Sequence, residues 1–190
     1  DAWDEQLANA AVPIVRSRRW FLQELSENSS REYAAISENP DEPFSLFYVG
    51  PLAQSDAPYE QMLAGLRRNR EEDRRRMYTT FGPHRDDVSL QLFGRDLRAM
   101  GSQGQLRTAV LSMKLGEIRL IEKEMGESPT LLLDDVFSEL DAKRRNALFK
   151  SAAPLQTFIT CTDRQDAAGA RADCFLRVTP TPDGTVLSRE

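Results

Sequence analysis

The sequence has few of the residues that build metal sites and disulfide frameworks. Its 190 residues include two cysteines, Cys161 and Cys174, and a single histidine, with no Cys-x-x-Cys pair. This argues against a zinc site or a disulfide scaffold and favours a reducing, cytoplasmic setting. No apolar run reaches the roughly 18 residues that a membrane-spanning helix needs, and no signal-peptide pattern opens the chain, so no membrane partner is expected.

The sequence also lacks an excess of basic charge. Its net charge is −5 and its pI is about 5.1, so any contact with nucleic acid must come from a local patch. The run 67–76 holds six arginines interleaved with Glu71, Glu72 and Asp73. Such a run can bind phosphates, but the interleaved acids favour a solvated helix face with pairing between successive turns.

A phosphate-binding loop of the form GxxxxGK[ST] is missing as well. None of the lysines follows a glycine and precedes Ser or Thr. In such a loop the backbone cradles the phosphates and the lysine reaches the terminal ones. A nucleotide site built from this sequence alone would therefore be incomplete.

The pattern of apolar residues predicts an α/β fold. Helices are expected over 1–28 (with a kink at Pro13), 58–76, 103–125 and 142–150. Strands are expected over 44–49, 88–92 (a hairpin that returns through Leu97 and Ala99), 130–133, 157–160, 174–178 and 185–187. The run 130–133 should be a central strand buried on both faces, and with the next helix and strand it forms a βαβ unit. A domain boundary is placed near residue 76.

Two segments suggest chemistry. Leu131–Leu133 are followed by Asp134 and Asp135, which predicts carboxylates at the carboxyl edge of a sheet, where ligands bind in α/β folds. One carboxylate there can hold Mg²⁺, and the other can orient an attacking water. The alternative is a solvated acidic turn. The segment 101–105 precedes the long helix, and Ser102 can either cap that helix or help it to bind phosphate.

Together the motifs resemble the RecF family of SMC/ABC-type ATPases. The resemblance is carried by four stretches in the expected order: 82–87 (GPHRDD), 101–108 (GSQGQLRT), 131–141 (LLLDDVFSELD) and 158–163 (FITCTD). It implies the C-terminal half of an ABC/SMC-type ATPase head, with a P-loop NTPase-like sheet and flanking helices, plus part of a helical lobe. Residues 1–76 would form the lobe, and 77–190 the ATPase part with signature motif, Walker B and D-loop.

The resemblance also implies roles for individual residues. Asp134 would hold Mg²⁺, and Asp135 would be catalytic, standing where most ABC ATPases have glutamate. The signature motif, which contacts the γ-phosphate held by the opposite subunit, would be Ser102, Gln103, Gly104 and Gln105. Ser138 and Asp141 would belong to the D-loop. Thr160 and Thr162 would form the switch region, where ABC proteins generally place a histidine.

At the level of function, the resemblance implies a slow ATPase that binds ATP and DNA and dimerises on ATP. It would act with RecO and RecR at gapped or single/double-strand junction DNA, supporting recombinase loading and the SOS response. This chain, lacking Walker A, would be a fragment with half of the nucleotide site. The alternatives are a non-catalytic interaction module with an ABC-like half-fold and another SMC-like ATPase, which would carry a long coiled coil.

His84, the only histidine, lies in the motif 82–87. A structural role in the turn and a role in nucleotide-dependent signalling or DNA contact both remain open. A metal site is improbable without a second histidine nearby.

Overall fold

The computed structural model of the chain describes residues 2–37, 39, 41–167, 172–182 and 184–189, without the side chains of 138, 139, 165 and 166. The helices are α1 (Ala2–Ser37), α2 (Pro58–Arg76), α3 (Leu97–Met100), α4 (Gln103–Met125) and α5 (Ala142–Ala152). The strands are β1 (Phe44–Val49), β2 (Asp87–Leu92), β3 (Arg95–Asp96), β4 (Leu131–Leu133), β5 (Thr157–Ile159), β6 (Leu176–Thr181) and β7 (Gly184–Arg189).

The first helix connects all three clusters of buried side chains. Its N-terminal part packs with α2 and the segment after β1, its middle packs on the β1–β2 sheet, and Ile36 near its end reaches the cluster around β4 and α5. The prediction that it ends near residue 28 is wrong, because the buried stripe continues through Ser29, Tyr33 and Ile36. It is also one helix that continues through Pro13.

An antiparallel sheet of β1, β2 and β3 lies against the middle of α1. Phe44 pairs with Leu92 and Leu46 with Leu90, so these four residues share the buried face, whereas Phe47 and Val49 of β1 are exposed. The predicted hairpin is confirmed, but its return strand is short. Leu97 and Ala99 belong to α3 instead, because the Asp96 carboxylate accepts a hydrogen bond from the Ala99 amide (2.9 Å) and caps a helical turn. The boundary near residue 76 stays a prediction; hydrogen bonds between β1 and β2 cross it.

The unit β4–α5–β5 confirms the predicted βαβ arrangement. The two strands are parallel, with Leu131 opposite Thr157 and Leu133 opposite Ile159. Leu131 and Leu133 point into the core, but Leu132 is 72% exposed. The expectation of a strand buried on both faces is therefore wrong for this chain. One face packs on α4 and α5, while the other is open to solvent in the part of the chain that the structure describes.

The last two strands form an antiparallel hairpin in which every described residue is exposed. They overlap the predicted strands 174–178 and 185–187. This hairpin contributes no buried side chain to the core clusters.

Candidate nucleotide site

The acidic pair predicted at the sheet edge lies at the carboxyl ends of β4 and β5. The parallel register places the residue after β5, Thr160, beside the end of β4, where its amide donates to the Leu133 carbonyl (2.9 Å). The Thr160 hydroxyl then donates to Asp134 Oδ1 and accepts from the Asp135 amide (3.0 Å). Asp134 and Asp135 are neighbours in the sequence, and this hydroxyl also joins both of them to the predicted switch region.

Asp135 adopts a left-handed backbone conformation, with φ of 47° and ψ of 31°. Among side chains other than glycine, Asp and Asn tolerate this conformation best, because their short polar groups can hydrogen-bond locally. A one-turn 3₁₀ helix, Val136–Glu139, follows immediately. The side chains of Asp134 and Asp135 are both exposed at the edge of the sheet.

The segment 101–105 begins α4 with a capping box. The Ser102 hydroxyl accepts from the Gln105 amide (3.2 Å), and the Gln105 side-chain oxygen accepts from the Ser102 amide (2.9 Å). Gln103 opens the helix and is exposed, and the Gly104 carbonyl accepts from the buried Thr108 hydroxyl (2.8 Å). Ser102 is therefore the helix cap, and the capping box already occupies the amides of Ser102 and Gln105.

The start of α5 adjoins the start of α4 through one arginine that sequence analysis missed. Asp141 caps α5: its carboxylate accepts from the Arg144 amide (2.9 Å) and from Arg144 Nη1 (2.6 Å). The hydrogen bond from the Arg144 amide, aided by the guanidinium, lowers the pKa of Asp141. The same guanidinium lies over Gly104 of α4. The spacing Asp-x-x-Arg could have indicated the pair, but the contact with Gly104 depends on the fold.

The structure says less about the remaining predicted site residues. Thr162 and Cys161 are exposed in the segment after β5. The side chain of Ser138 lies outside the described residues. Between the acidic edge and the α4 helix, a groove of about 270 Å³ is lined by Leu106, Arg107, Val110, Leu111, Val136 and Leu140.

The motif 82–87 packs against α1 and β1. Asp86 is buried, accepts a hydrogen bond from the Tyr48 hydroxyl, and lies 3.6 Å from Arg18. Burial, together with the hydrogen bond to Asp86, raises the pKa of Tyr48. His84 Nε2 lies 2.7 Å from the Thr79 carbonyl oxygen, which supports the structural role for this histidine.

Pairing within α2 accounts for the arginines at its end. Arg74 contacts Glu71 at 3.3 Å, and Arg75 and Arg76 both pair with Glu72. This confirms the prediction of a solvated face with ion pairs between successive turns. The fold also brings two aromatic rings beside arginines here that the sequence order did not suggest: Arg68 lies over Phe81 at 5.9 Å and Arg85 over Tyr78 at 4.5 Å.

Neither a resident metal cluster nor a membrane span is found in the described part of the chain. No group of three or more His, Cys, Asp or Glu side chains there is placed to hold a metal ion. None of its helices combines the length and apolarity that crossing a membrane demands.

Comparison with known proteins defines the family. The chain is 43% identical over 167 residues to the DNA replication and repair protein RecF of Alkaliphilus oremlandii, covering 85% of this chain and 46% of that protein. It is 37% identical over 184 residues to RecF of Lachnoclostridium phytofermentans, covering 97% of this chain and 49% of that protein. The chain belongs to the RecF family. It spans about half the length of these RecF relatives.

Solved structures agree with this assignment. The structure of the recombination mediator protein RecF with ATP superimposes with a TM-score of 0.81 at 33% identity, over 98% of this chain and 50% of that one. The RecF-ATPrS structure gives 0.80 at 33% identity, over 94% of this chain and 48% of that one. An SMC head bound to the winged-helix domain of ScpA gives 0.55 at 15% identity over 89% of this chain, which shows the shared ATPase-head fold alone. No family model matches the chain.

Proposed function

We propose that the complete protein carrying this chain is an ATP-binding, DNA-binding ATPase of replication and repair, in which two subunits close head-to-tail around two nucleotides. The observation that carries the proposal is the Thr160 hydroxyl, which binds both Asp134 and the Asp135 amide at the carboxyl edge of parallel strands. Parallel sheets bind ligands at this edge. The family membership supports the choice of ATP as the ligand.

Asp134 is the proposed magnesium ligand. The groups at this edge are oxygens, the Asp134 carboxylate and the Thr160 hydroxyl, and Mg²⁺ is commonly held by one or two carboxylates plus substrate phosphates and water. The donor set therefore fits Mg²⁺ bound together with a triphosphate. When bound, the ion neutralises charge on the β- and γ-phosphates. Thr160 holds the Asp134 carboxylate in one orientation for this role.

Asp135 is the proposed catalytic residue, which orients the attacking water. The bond from its amide to Thr160 fixes the left-handed turn that presents its side chain. Aspartate is one methylene shorter than the glutamate usual in ABC ATPases, and a shorter reach favours slow hydrolysis. Slow hydrolysis suits a protein in which the time that ATP stays bound sets the lifetime of the dimer.

The first turn of α4 is the proposed signature motif, reaching the γ-phosphate of the opposite subunit through Ser102, Gln103, Gly104 and Gln105. The positive end of the helix dipole supports this role, because it favours an anion at the start of α4. Asp141, with Ser138, forms the proposed D-loop that crosses the dimer interface. Thr162 joins Thr160 in the proposed switch region.

The biological setting rests on family membership. We propose that the protein acts in the cytoplasm with RecO and RecR at gapped or junction DNA, where it supports recombinase loading and the SOS response. One solved relative is described as a recombination mediator in the RecFOR pathway. No basic patch described above selects a DNA structure.

Two substitutions at Ser102 separate the capping role from the phosphate role. Asp and Asn are both good helix caps and differ little in size, but Asp places a negative charge beside the expected γ-phosphate. In the full-length protein we expect Ser102→Asn to keep most ATP-dependent dimerisation and Ser102→Asp to lose it, as measured by light scattering with and without Mg-ATP. The two variants should unfold at similar urea concentrations.

Equal dimerisation by the two variants would remove Ser102 from the nucleotide interface. Failure of the wild-type protein to dimerise on ATP would overturn the proposed function as a whole. A loss in Ser102→Asp accompanied by a large loss of stability would be a folding effect, which the urea measurement detects.

A further inference from the structure

Arg144 holds both oxygens of one carboxylate. Its amide donates to Asp141 Oδ1 at 2.9 Å and its Nη1 donates to Asp141 Oδ2 at 2.6 Å. A carboxylate fixed by two charge-assisted or backbone bonds has a defined orientation, unlike one in a single flexible ion pair. Asp141 is therefore held in place by the helix it caps and by the arginine three residues later.

The guanidinium of Arg144 also rests directly on Gly104. A Cβ atom at position 104 would lie 3.0 Å from Nη1, 3.3 Å from Cζ and 3.3 Å from Nη2. All three distances are tighter than ordinary van der Waals contact. The missing side chain at 104 is thus what lets the arginine approach the first turn of α4.

The bond to Asp141 stabilises the start of α5, but the contact of the guanidinium with Gly104 of α4 is not explained by local stability. A cation beside the first turn of a helix opposes the helix dipole, and Arg144 Nε is buried with no hydrogen-bond partner among the described residues. Burial raises the pKa of Tyr33 in α1 to about 12, and the positive charge of Arg144 acts on this pKa in the opposite direction. Residues that break a local rule in this way are often found at functional sites.

We propose that Arg144 is a positioning residue that links Asp141 at the start of α5 to Gly104 at the start of α4, so that the D-loop and the signature motif move as one unit when the dimer closes. The inference rests on the proposed function, because only there do both segments meet the nucleotide of the opposite subunit. Arg144 itself need not contact ATP.

The test uses the full-length protein and two substitutions of Arg144. Arg144→Met keeps the apolar stem and removes the guanidinium, whereas Arg144→Lys keeps the charge without the planar fork. Lys150→Met, at an exposed position in the last turn of the same helix, is the control for loss of one positive charge. Two quantities are measured: ATP affinity under conditions where the protein stays monomeric, and the ATP concentration that gives half-maximal dimerisation.

We expect Arg144→Met to raise the half-maximal ATP concentration by about tenfold, the effect of losing one charge-assisted hydrogen bond, while monomer ATP affinity stays within about twofold of wild type. Arg144→Lys should be intermediate and Lys150→Met unchanged. A purely structural role would lower ATP affinity and dimerisation together. Unchanged dimerisation in Arg144→Met would overturn the proposal.

A double-substitution cycle tests the contact itself. Gly104→Ala should impair dimerisation because its Cβ displaces the guanidinium, and adding Arg144→Met should cause little further loss, since the two changes break the same contact. If the loss of dimerisation in the double variant equals the product of the two single losses, Gly104 and Arg144 act independently, which contradicts the link.

Failure of the proposed function remains distinguishable from failure of this inference. If the wild-type protein does not dimerise on ATP, the proposed function is wrong. Amide hydrogen exchange then tests whether Arg144 links the starts of α4 and α5. Faster exchange of the first-turn amides of α4 in Arg144→Met, with Lys150→Met unchanged, supports the link between the two helix starts. Unchanged exchange in Arg144→Met overturns it.

Discussion

Met77 ends α2 in a backbone conformation that favours glycine. Its φ is 61° and its ψ is 25°, and its side chain is 88% exposed, so no contact compensates for the left-handed geometry. Glycine is the usual residue at this position after a helix. We predict that Met77→Gly stabilises the protein by about 1 kcal/mol, the cost of a left-handed residue with a Cβ, measured by urea denaturation.

Met77→Ala is the control for that substitution, because it removes the exposed side chain but keeps the Cβ atom. It should leave the unfolding free energy within about 0.5 kcal/mol of wild type, as surface changes usually do. If alanine stabilised as much as glycine, the methionine side chain and not the backbone would be the source of the cost.

Residues whose roles are local could be predicted from the sequence, and residues joined by the fold could not. Ser102 and Gln105 form a capping box because they are three positions apart, and the pattern suggested a helix start. The bond from Thr160 to Asp134 spans 26 positions and exists because β4 and β5 are parallel neighbours. Nothing in the run 131–135 indicates which hydroxyl will meet it.

At the scale of elements, α1 and α4 are in close contact at Gly116. A Cβ atom there would lie 2.5 Å from Ser29 Oγ, 2.8 Å from the Ser29 amide nitrogen and 3.1 Å from Ser29 Cα. Two of those atoms are backbone, so the neighbour cannot rotate away. The glycine therefore sets the spacing between these helices, although it is a poor helix former.

We predict that Gly116→Ala destabilises the protein by about 1–3 kcal/mol, the usual cost of overpacking, despite the better helix propensity of alanine. Urea denaturation measures this change, and Glu124→Ala, at an exposed position of α4, is the matched control. Adding Ser29→Ala should restore little, because the backbone contacts remain. A Gly116→Ala variant as stable as wild type would show that the two helices can separate freely.

Whether the bounds of a helix or strand could be predicted depends on whether local residues or tertiary packing set them. The bounds of α4 were predicted correctly because a capping box begins it and Gly126 ends it. The prediction for α1 was too short because the apolar periodicity was followed only to about residue 28, whereas buried Tyr33 and Ile36 extend the stripe by tertiary packing. Exposure of Leu132 could not be predicted either, since a continuous apolar run does not reveal which face will be covered.

At the scale of the whole molecule, the described chain carries one side of the proposed nucleotide site. The acidic edge is formed, but the sequence contains no GxxxxGK[ST] loop to cradle the phosphates. We predict that calorimetric titration of Mg-ATP into this 190-residue chain gives no binding tighter than about 10 μM, or roughly −7 kcal/mol.

The titration is informative only for a folded sample, so circular dichroism and a cooperative urea transition are measured on the same preparation. Binding tighter than that limit would mean that the chain holds a complete site without the loop. Weak binding by a folded chain would support a site completed by other residues, and the same titration on the full-length protein should then give a much lower dissociation constant.

One helix reaches every part of this core. Because α1 has 36 residues, it is about 54 Å long at 1.5 Å per residue, and buried side chains hold it to all three clusters along that length. A tilt of about 10° around its centre would move each end by about 5 Å. A displacement beside His84 would then appear as an equal and opposite displacement beside the β4–α5 unit.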